Sequence, residues 1–84
     1  MKEDKNLEKL MLLLSRVLDI EIDIISDQTS PDNTENWDSY NGLLLVDELE
    51  SEFNVKFTVE EVFDVHSIAD IKKHLVNHGV TLND

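Results

Sequence analysis

Three groups of side chains in this sequence have types and spacing that could support chemistry. The first is the segment from Asp27 to Asp38, which spans the twelve residues of a calcium-binding EF-hand loop and is rich in oxygen ligands. Its sixth position requires a glycine for the sharp turn but holds Asp32, its fifth holds Pro31, and its last holds an aspartate instead of a bidentate glutamate. The sequence therefore argues against a calcium loop.

The second group is a row of ionisable side chains near the C-terminal end. Asp70, His74 and His78 are spaced by four residues, so on a helix they share one face, and two histidines at this spacing can hold a metal ion. Exposed histidines near a helix C-terminus also interact favourably with the helix dipole when they are protonated. We favour this structural interpretation over a metal site, and we interpret His66 as a connector residue.

The third group is the pair Asp38 and Ser39, at the junction between a long polar loop and an amphipathic helix. Either residue can cap the helix, because both types accept hydrogen bonds from its first backbone amides. Enzyme motifs are missing around them, since the two glycines, Gly42 and Gly79, cannot build a phosphate loop or a nucleophile elbow. The chain also has no cysteine for a nucleophile or a thiolate zinc site. We therefore expect no catalytic activity.

These side chains must be positioned by helices, and the apolar spacing predicts four of them. The first runs from about Asp4 to Asp19. A long loop from Ile20 to Trp37 follows, without a strand, and its apolar residues should tie it to the core. Those apolar residues are Ile22, Ile24 and Ile25.

The second predicted helix begins at Asp38 or Ser39 and ends at Phe53. Its predicted core stripe is Leu45, Val46, Leu49 and Phe53, with Leu43 beside it.

The two remaining helices are marked by caps. Thr58 and Glu61 have the spacing of a capping box, with Phe57 and Val62 placed as a hydrophobic staple, so a short third helix should start at Thr58 and end by Asp64. Ser67 and Asp70 form a looser cap for a fourth helix that ends near Gly79, and the tail from Val80 to Asp84 should be frayed. The fourth helix should turn Ile68, Ile71 and Leu75 inward.

Length and charge set the class of protein. The 84 residues predict one small domain over 1–84, and 7 basic against 19 acidic side chains give a net charge of −12. Such a field repels nucleic acid and anionic membranes and favours partners with basic patches. The apolar run from Leu10 to Leu14 is too short for a membrane span, so we expect a soluble, cytoplasmic protein.

The run from Asp38 to Phe53 resembles the Asp-Ser-Leu helix of acyl carrier proteins. It opens with Asp38-Ser39 and closes with Leu49-Glu50-Ser51-Glu52-Phe53, at the family's spacing. The likeness continues through the third helix to Val65-His66-Ser67-Ile68-Ala69-Asp70-Ile71 and covers essentially the whole chain. It implies an all-α, four-helix bundle with a long loop between helices I and II and a short helix III.

The resemblance also implies a function. Ser39 would receive 4′-phosphopantetheine from coenzyme A, through a magnesium-dependent phosphopantetheinyl transferase that recognises Asp38 beside the transferred phosphate. The terminal thiol of this arm would then carry acyl or aminoacyl groups as thioesters. A phosphodiester at this place would lie at the positive end of the helix dipole.

Partner enzymes of such carriers read helix II. The residues expected to meet their basic docking patches are Tyr40, Leu44, Asp47 and Glu48, with further charge from Glu50 and Glu52. We expect Tyr40 to be exposed and leave the placement of Leu44 open. The interface should be small and transient and the carrier a monomer.

The sequence departs from the fatty-acid pattern at Trp37, Tyr40 and Asp47, and so resembles specialised stand-alone carriers of polyketide, nonribosomal peptide, aminoacyl or envelope polysaccharide pathways. The alternative function is an unmodified, small acidic helical domain that binds a basic partner.

Overall fold

The computed structural model describes residues 5–82, and this part of the chain is all-helical. Residues 5–82 form four α-helices and one short 3-10 helix, which confirms the predicted all-α, four-helix architecture. In chain order they are α1 (Asn6–Leu18), the 3-10 helix (Ile22–Ile24), α2 (Ser39–Phe53), α3 (Val59–Phe63) and α4 (Ile68–Asn77).

Helix α1 forms because its apolar residues recur on one face, and that face supplies a large part of the core. The predicted start at Asp4 lies outside the described residues. Within the described residues, the helix begins at Asn6. Its end is set by Asp19, whose left-handed backbone (φ 55°) stops the helical path. The four buried side chains are Leu10, Leu13, Leu14 and Leu18.

The long loop after α1 contains no strand in its described residues, as predicted, but its anchoring differs from the prediction. Only Ile25 of the three predicted isoleucines is buried, whereas Ile22 and Ile24 are exposed. A turn of 3-10 helix rotates these neighbours in different directions, which spacing within an irregular loop did not reveal. The second anchor is Trp37, which is only 6% exposed and belongs to the core cluster.

The same loop satisfies the ends of two helices. The carbonyl of Thr29 accepts a hydrogen bond from the backbone N–H of Ile68 at 2.9 Å, and the side-chain amide of Asn36 donates to the carbonyl of Leu18 at 3.0 Å. Both groups lie at helix ends that lack intrahelical partners. The loop is therefore fixed at the end of α1 and at the start of α4, and it delivers the chain to the start of α2.

Helix α2 follows the prediction closely, with one correction. Leu45 and Leu49 are each 1% exposed and face the core. Leu43 was predicted beside this stripe, but it is 64% exposed, because a residue two positions before Leu45 lies on a different side of a helix. The helix ends at Asn54, which adopts a left-handed backbone (φ 56°).

Helix α4 is built and ended as the sequence predicts. Ile68, Ile71 and Leu75 are buried, and Gly79 adopts a positive φ of 93° that lets the chain leave the helix. The backbone N–H of Val80 then donates to the carbonyl of Leu75 at 3.0 Å, as in a Schellman motif.

The tail differs from its prediction. Val80 and Leu82 are partly buried and pack against the core, so the described part of the tail is not frayed. The packing of these two apolar side chains against the core was not evident from the local sequence. The last two predicted tail residues, 83 and 84, lie outside the described residues. Within residues 5–82, no helix has the length and apolar character needed to cross a membrane.

Candidate functional site

Ser39 occupies the first position of α2 and exposes its side chain to solvent. The cap is supplied by Asp38, whose Oδ1 accepts a hydrogen bond from the backbone N–H of Asn41 at 2.9 Å. The structure thus decides between the two predicted caps in favour of the aspartate. The hydroxyl of Ser39 has no hydrogen-bond partner among residues 5–82, so it is accessible to an incoming reagent.

The start of α2 is held firmly. The backbone N–H of Gly42 donates to the carbonyl of Asp38 at 2.8 Å, and the side chain of Asn41 donates to the carbonyl of Asn36 at 2.7 Å. These bonds tie the loop before the helix to its first turn. The backbone that presents Ser39 is therefore ordered by local hydrogen bonds on both sides.

Beside this helix start lies a cavity of about 580 Å³. Its walls are mainly apolar, and it follows α2 from Ser39 to Leu49, a rise of about 15 Å along the helix axis. The buried side chains that line it are Trp37, Leu45, Leu49, Ile71 and His74, and the exposed residues at its rim include Asp38, Ser39, Leu43 and Phe63. The size and apolar lining are typical of a small-molecule site.

Helix α3 forms one side of the cavity through Val62 and Phe63. The predicted capping box is present, because Thr58 Oγ1 accepts from the backbone N–H of Glu61 at 3.1 Å while the Glu61 carboxylate accepts from the backbone N–H of Thr58 at 2.9 Å. Just before the cap, the backbone N–H of Phe57 donates to Oε2 of Glu50 at 2.9 Å. This bond connects α2 to the chain that enters α3.

The histidines of α4 hold α3 by its carboxylates. Nε2 of His74 lies 3.0 Å from Oδ2 of Asp64, and Nε2 of His78 lies 3.0 Å from both carboxylate oxygens of Glu61. The hydrogen bond from His74 keeps the pKa of Asp64 below its ordinary value, with Lys73 adding to the effect. The capping bond from the Thr58 amide, followed by the bond from His78, lowers the pKa of Glu61.

This arrangement corrects the prediction of an exposed histidine for His74, whereas His78 is exposed as predicted. His74 is 7% exposed, because α3 and Phe57 cover it, and its ring lies edge-on to that of Phe57 at 6.5 Å. Asp70 does not join the two histidines, since its Oδ2 accepts from the backbone N–H of His66 at 2.9 Å. In residues 5–82 no group of three histidine or acidic side chains is arranged as a metal site.

The acidic residues at both ends of the loop that was tested as a calcium site have structural roles. Asp27 Oδ1 lies 2.6 Å from Nζ of Lys72, and Asp38 caps α2. Ser30 and Asn33 bond within the loop, where the backbone N–H of the serine donates to Oδ1 of the asparagine at 2.9 Å. The oxygen-rich composition of the loop therefore reflects turn formation and capping.

The predicted partner-binding residues are not equally accessible. Tyr40 is 74% exposed, Leu44 is 37% exposed, and Asp47 is exposed as well. Glu48 is half-buried and lies 3.3 Å from Arg16 of α1, so part of its charge is balanced within the protein. Glu52 likewise lies 3.6 Å from Lys9.

Sequence reasoning missed several residues around the cavity. Leu43 and Phe63 are large apolar side chains that line the cavity and are largely exposed, and Val59 of α3 is exposed as well. Their positions on α2 and α3 carried a weak signal, because each departs from the inward face of its helix. Trp37 and His74 were also missed as lining residues, since their burial depends on elements that are distant in sequence.

These residues fit a flexible, amide-containing arm attached at Ser39. The hydroxyl is exposed at the rim, the first turn of α2 supplies a positive dipole end for a phosphate, and the cavity begins beside Ser39. Within residues 5–82 the one fully enclosed side-chain polar atom without a hydrogen bond is Nδ1 of His74, which lies 3.8 Å from Oε2 of Glu61.

Comparison with known proteins gives an independent result. The family model described as "phosphopantetheine attachment site" matches residues 8–75, which include the starts of α2, α3 and α4 and every lining residue of the cavity. No curated protein matches the chain.

Proposed function

Because the chain belongs to the phosphopantetheine attachment family, we propose that Ser39 receives the 4′-phosphopantetheine arm and that the arm carries acyl groups as thioesters. The family consists of carriers without catalytic activity, which confirms the prediction that the chain is not an enzyme. The observation that carries the choice of Ser39 is its place, exposed at the first turn of α2 and on the rim of the apolar cavity.

The division of labour between Asp38 and Ser39 supports this choice. Asp38 satisfies the start of the helix, so attachment at Ser39 would not remove a cap. A phosphodiester on Ser39 would lie at the positive end of α2, close to backbone N–H groups that have no intrahelical acceptor. Asp38 would stand beside the transferred phosphate and form part of the surface that a phosphopantetheinyl transferase recognises.

The cavity supports an acyl cargo. It starts at Ser39, continues between α2 and α3, and is lined mainly by apolar side chains. Burying an aliphatic chain there would gain about 0.8 kcal/mol for each methylene removed from water. The pathway that uses the cargo would be fatty acid, polyketide, nonribosomal peptide or envelope polysaccharide biosynthesis.

Partner enzymes would dock on the exposed surface around the attachment point. Tyr40 and Leu44 supply apolar contact, and Asp47 and Glu48 supply negative charge on α2. Leu43 and Phe63 extend the apolar part along the rim of the cavity. With a net charge of −12, the protein would be steered toward basic patches on loading and transferring enzymes. A monomeric state and a cytoplasmic location are part of this proposal.

The test is the intact mass of the purified protein after incubation with coenzyme A, magnesium and a broad-specificity phosphopantetheinyl transferase. We expect the wild-type protein to gain one phosphopantetheine and Ser39→Ala to gain none. Ser51→Ala is the matched control, because Ser51 is an exposed serine on the same helix and should not affect the modification. A modified Ser39→Ala protein would contradict the assignment of the residue, and an unmodified wild type with several transferases would favour the unmodified interaction domain.

A further inference from the structure

The indole N–H of Trp37 is a hydrogen-bond donor without a protein acceptor. The residue is only 6% exposed, and no side chain or carbonyl of residues 5–82 accepts a bond from this nitrogen. Nδ1 of His74 is the one side-chain polar atom in that range that is fully enclosed and has no hydrogen-bond partner. Since the indole nitrogen also has no partner, it cannot be fully enclosed. The nitrogen therefore reaches the surface of the cavity, where it can donate to water or to a ligand.

This donor lies at the cavity, close to the attachment point. Trp37 and Gly42 both line the cavity, and Ser39 lies between them in the chain. A Cβ added to Gly42 would stand 3.6 Å from the indole nitrogen, so the side of α2 that faces this nitrogen is bare backbone. The absence of a side chain at position 42 leaves the approach from Ser39 to the indole open.

The chemistry of the donor limits what can bind to it. An indole N–H donates one hydrogen bond and accepts none, so its partner must present an acceptor. The lining is otherwise mainly apolar, and its polar side chains are Asp38 and Ser39 at the rim and the buried His74. A flexible chain that is attached at Ser39 and carries a hydrogen-bond acceptor fits this site. The phosphopantetheine arm is such a chain, because it contains amide carbonyls at intervals.

We propose that Trp37 is a docking residue for the arm, donating a hydrogen bond from its indole nitrogen to an amide carbonyl of phosphopantetheine attached at Ser39. The inference rests on the proposed function and adds a state in which the arm lies along α2 inside the cavity. A net hydrogen bond of ordinary strength favours the docked over the undocked arm by about fivefold. Trp37 acts through binding and positioning and takes no part in any reaction.

The sole tryptophan makes the test direct, because the protein has a single indole N–H signal in a ¹H–¹⁵N spectrum. Apo and holo samples are compared after the mass of the holo sample shows attachment. We expect the indole proton to shift downfield in the holo protein and its exchange with solvent to slow by about fivefold. Equal shifts and equal exchange rates in the two samples overturn the inference.

A second measurement follows the arm itself in Trp37→Phe, which keeps an aromatic ring but has no donor. With isotope-labelled phosphopantetheine, we expect the amide signals of the arm to move toward those of free phosphopantetheine in this variant. Unchanged arm signals would overturn the inference.

The outcomes distinguish this inference from the proposed function. If the wild-type protein gains no mass, the function fails and the inference falls with it. If the mass is gained at Ser39 and the indole signal does not respond, the inference alone is wrong.

Discussion

Replacing Gly42 with alanine should stabilise the protein. Gly42 lies in the first turns of α2, where glycine is a poor helix former because it loses more backbone freedom on folding than alanine. A Cβ at this position would meet only Trp37, at 3.6 Å from Nε1 and 3.8 Å from Cδ1. Both distances are ordinary van der Waals contacts, so the methyl group requires no rearrangement.

The helix propensity of alanine over glycine is worth about 0.5–1 kcal/mol in the free energy of unfolding. For a domain of this size, each kcal/mol raises the melting temperature by about 4–8 °C. We expect a higher urea midpoint with an unchanged slope, measured by circular dichroism and by fluorescence of the single tryptophan.

Ser51→Gly is the converse control for Gly42→Ala. Ser51 is exposed on the same helix, and its replacement by glycine should cost about 0.5 kcal/mol without a packing effect. A loss of stability in Gly42→Ala, with Ser51→Gly behaving as expected, would refute the reasoning. It would mean that a Cβ at position 42 comes closer to the indole nitrogen than 3.6 Å or that the first turn needs a backbone conformation closed to alanine.

Two further predictions concern α3. Thr58→Ala removes the oxygen that accepts from the Glu61 N–H and should cost about 1 kcal/mol in a urea titration, whereas unchanged stability would show that the cap is not what starts the helix. Acid should weaken the fold, because the bond from His74 lowers the pKa of Asp64 from 3.8 and the Thr58 amide, followed by His78, lowers that of Glu61 from 4.5. A carboxylate whose pKa is lower in the folded than in the unfolded protein stabilises the fold at pH values above its ordinary pKa. That stabilisation is lost as the pH falls from the ordinary pKa through the lowered pKa of the folded state. Asp64→Asn should therefore flatten the pH dependence of unfolding below 3.8, and an unaltered profile would contradict this linkage.

The features predicted best from sequence are those fixed by near neighbours in the chain. The capping box of Thr58 and Glu61 and the glycine that ends α4 are settled within a few residues, and both are present. The inward residues of α4 were also predicted, because a helix of ten residues repeats its apolar pattern often enough to define a face.

The features missed depend on elements far apart in the chain. Trp37 follows a polar loop without any period, and its burial arises only when α2 and the loop fold together. His74 is covered by α3, although nothing in its own helix distinguishes it from an exposed histidine. Ile24 is exposed whereas its neighbour Ile25 is buried, because the 3-10 turn directs only one of the two side chains into the core.

The candidate site was predicted in part for the same reason. The position of Ser39 follows from a short motif, whereas the cavity beside it is enclosed by side chains from α2, α3 and α4. No local pattern encodes such an enclosure. The contribution of Trp37 and His74 to its walls became apparent only once the helices were assembled.

The way α3 is held implies that the protein has one free energy for the detachment of α3 and another for global unfolding. None of the residues of α3 is buried, and its polar attachments are the bond between Phe57 and Glu50, the contacts of the two histidines with Glu61 and Asp64, and the ion pair of Lys73 with Asp64. Detaching α3 therefore breaks polar contacts but leaves the leucine-rich core closed, so it costs less than global unfolding. One side of the cavity can consequently exchange with solvent, or admit a guest, at a rate set by local chemistry instead of by the stability of the whole fold.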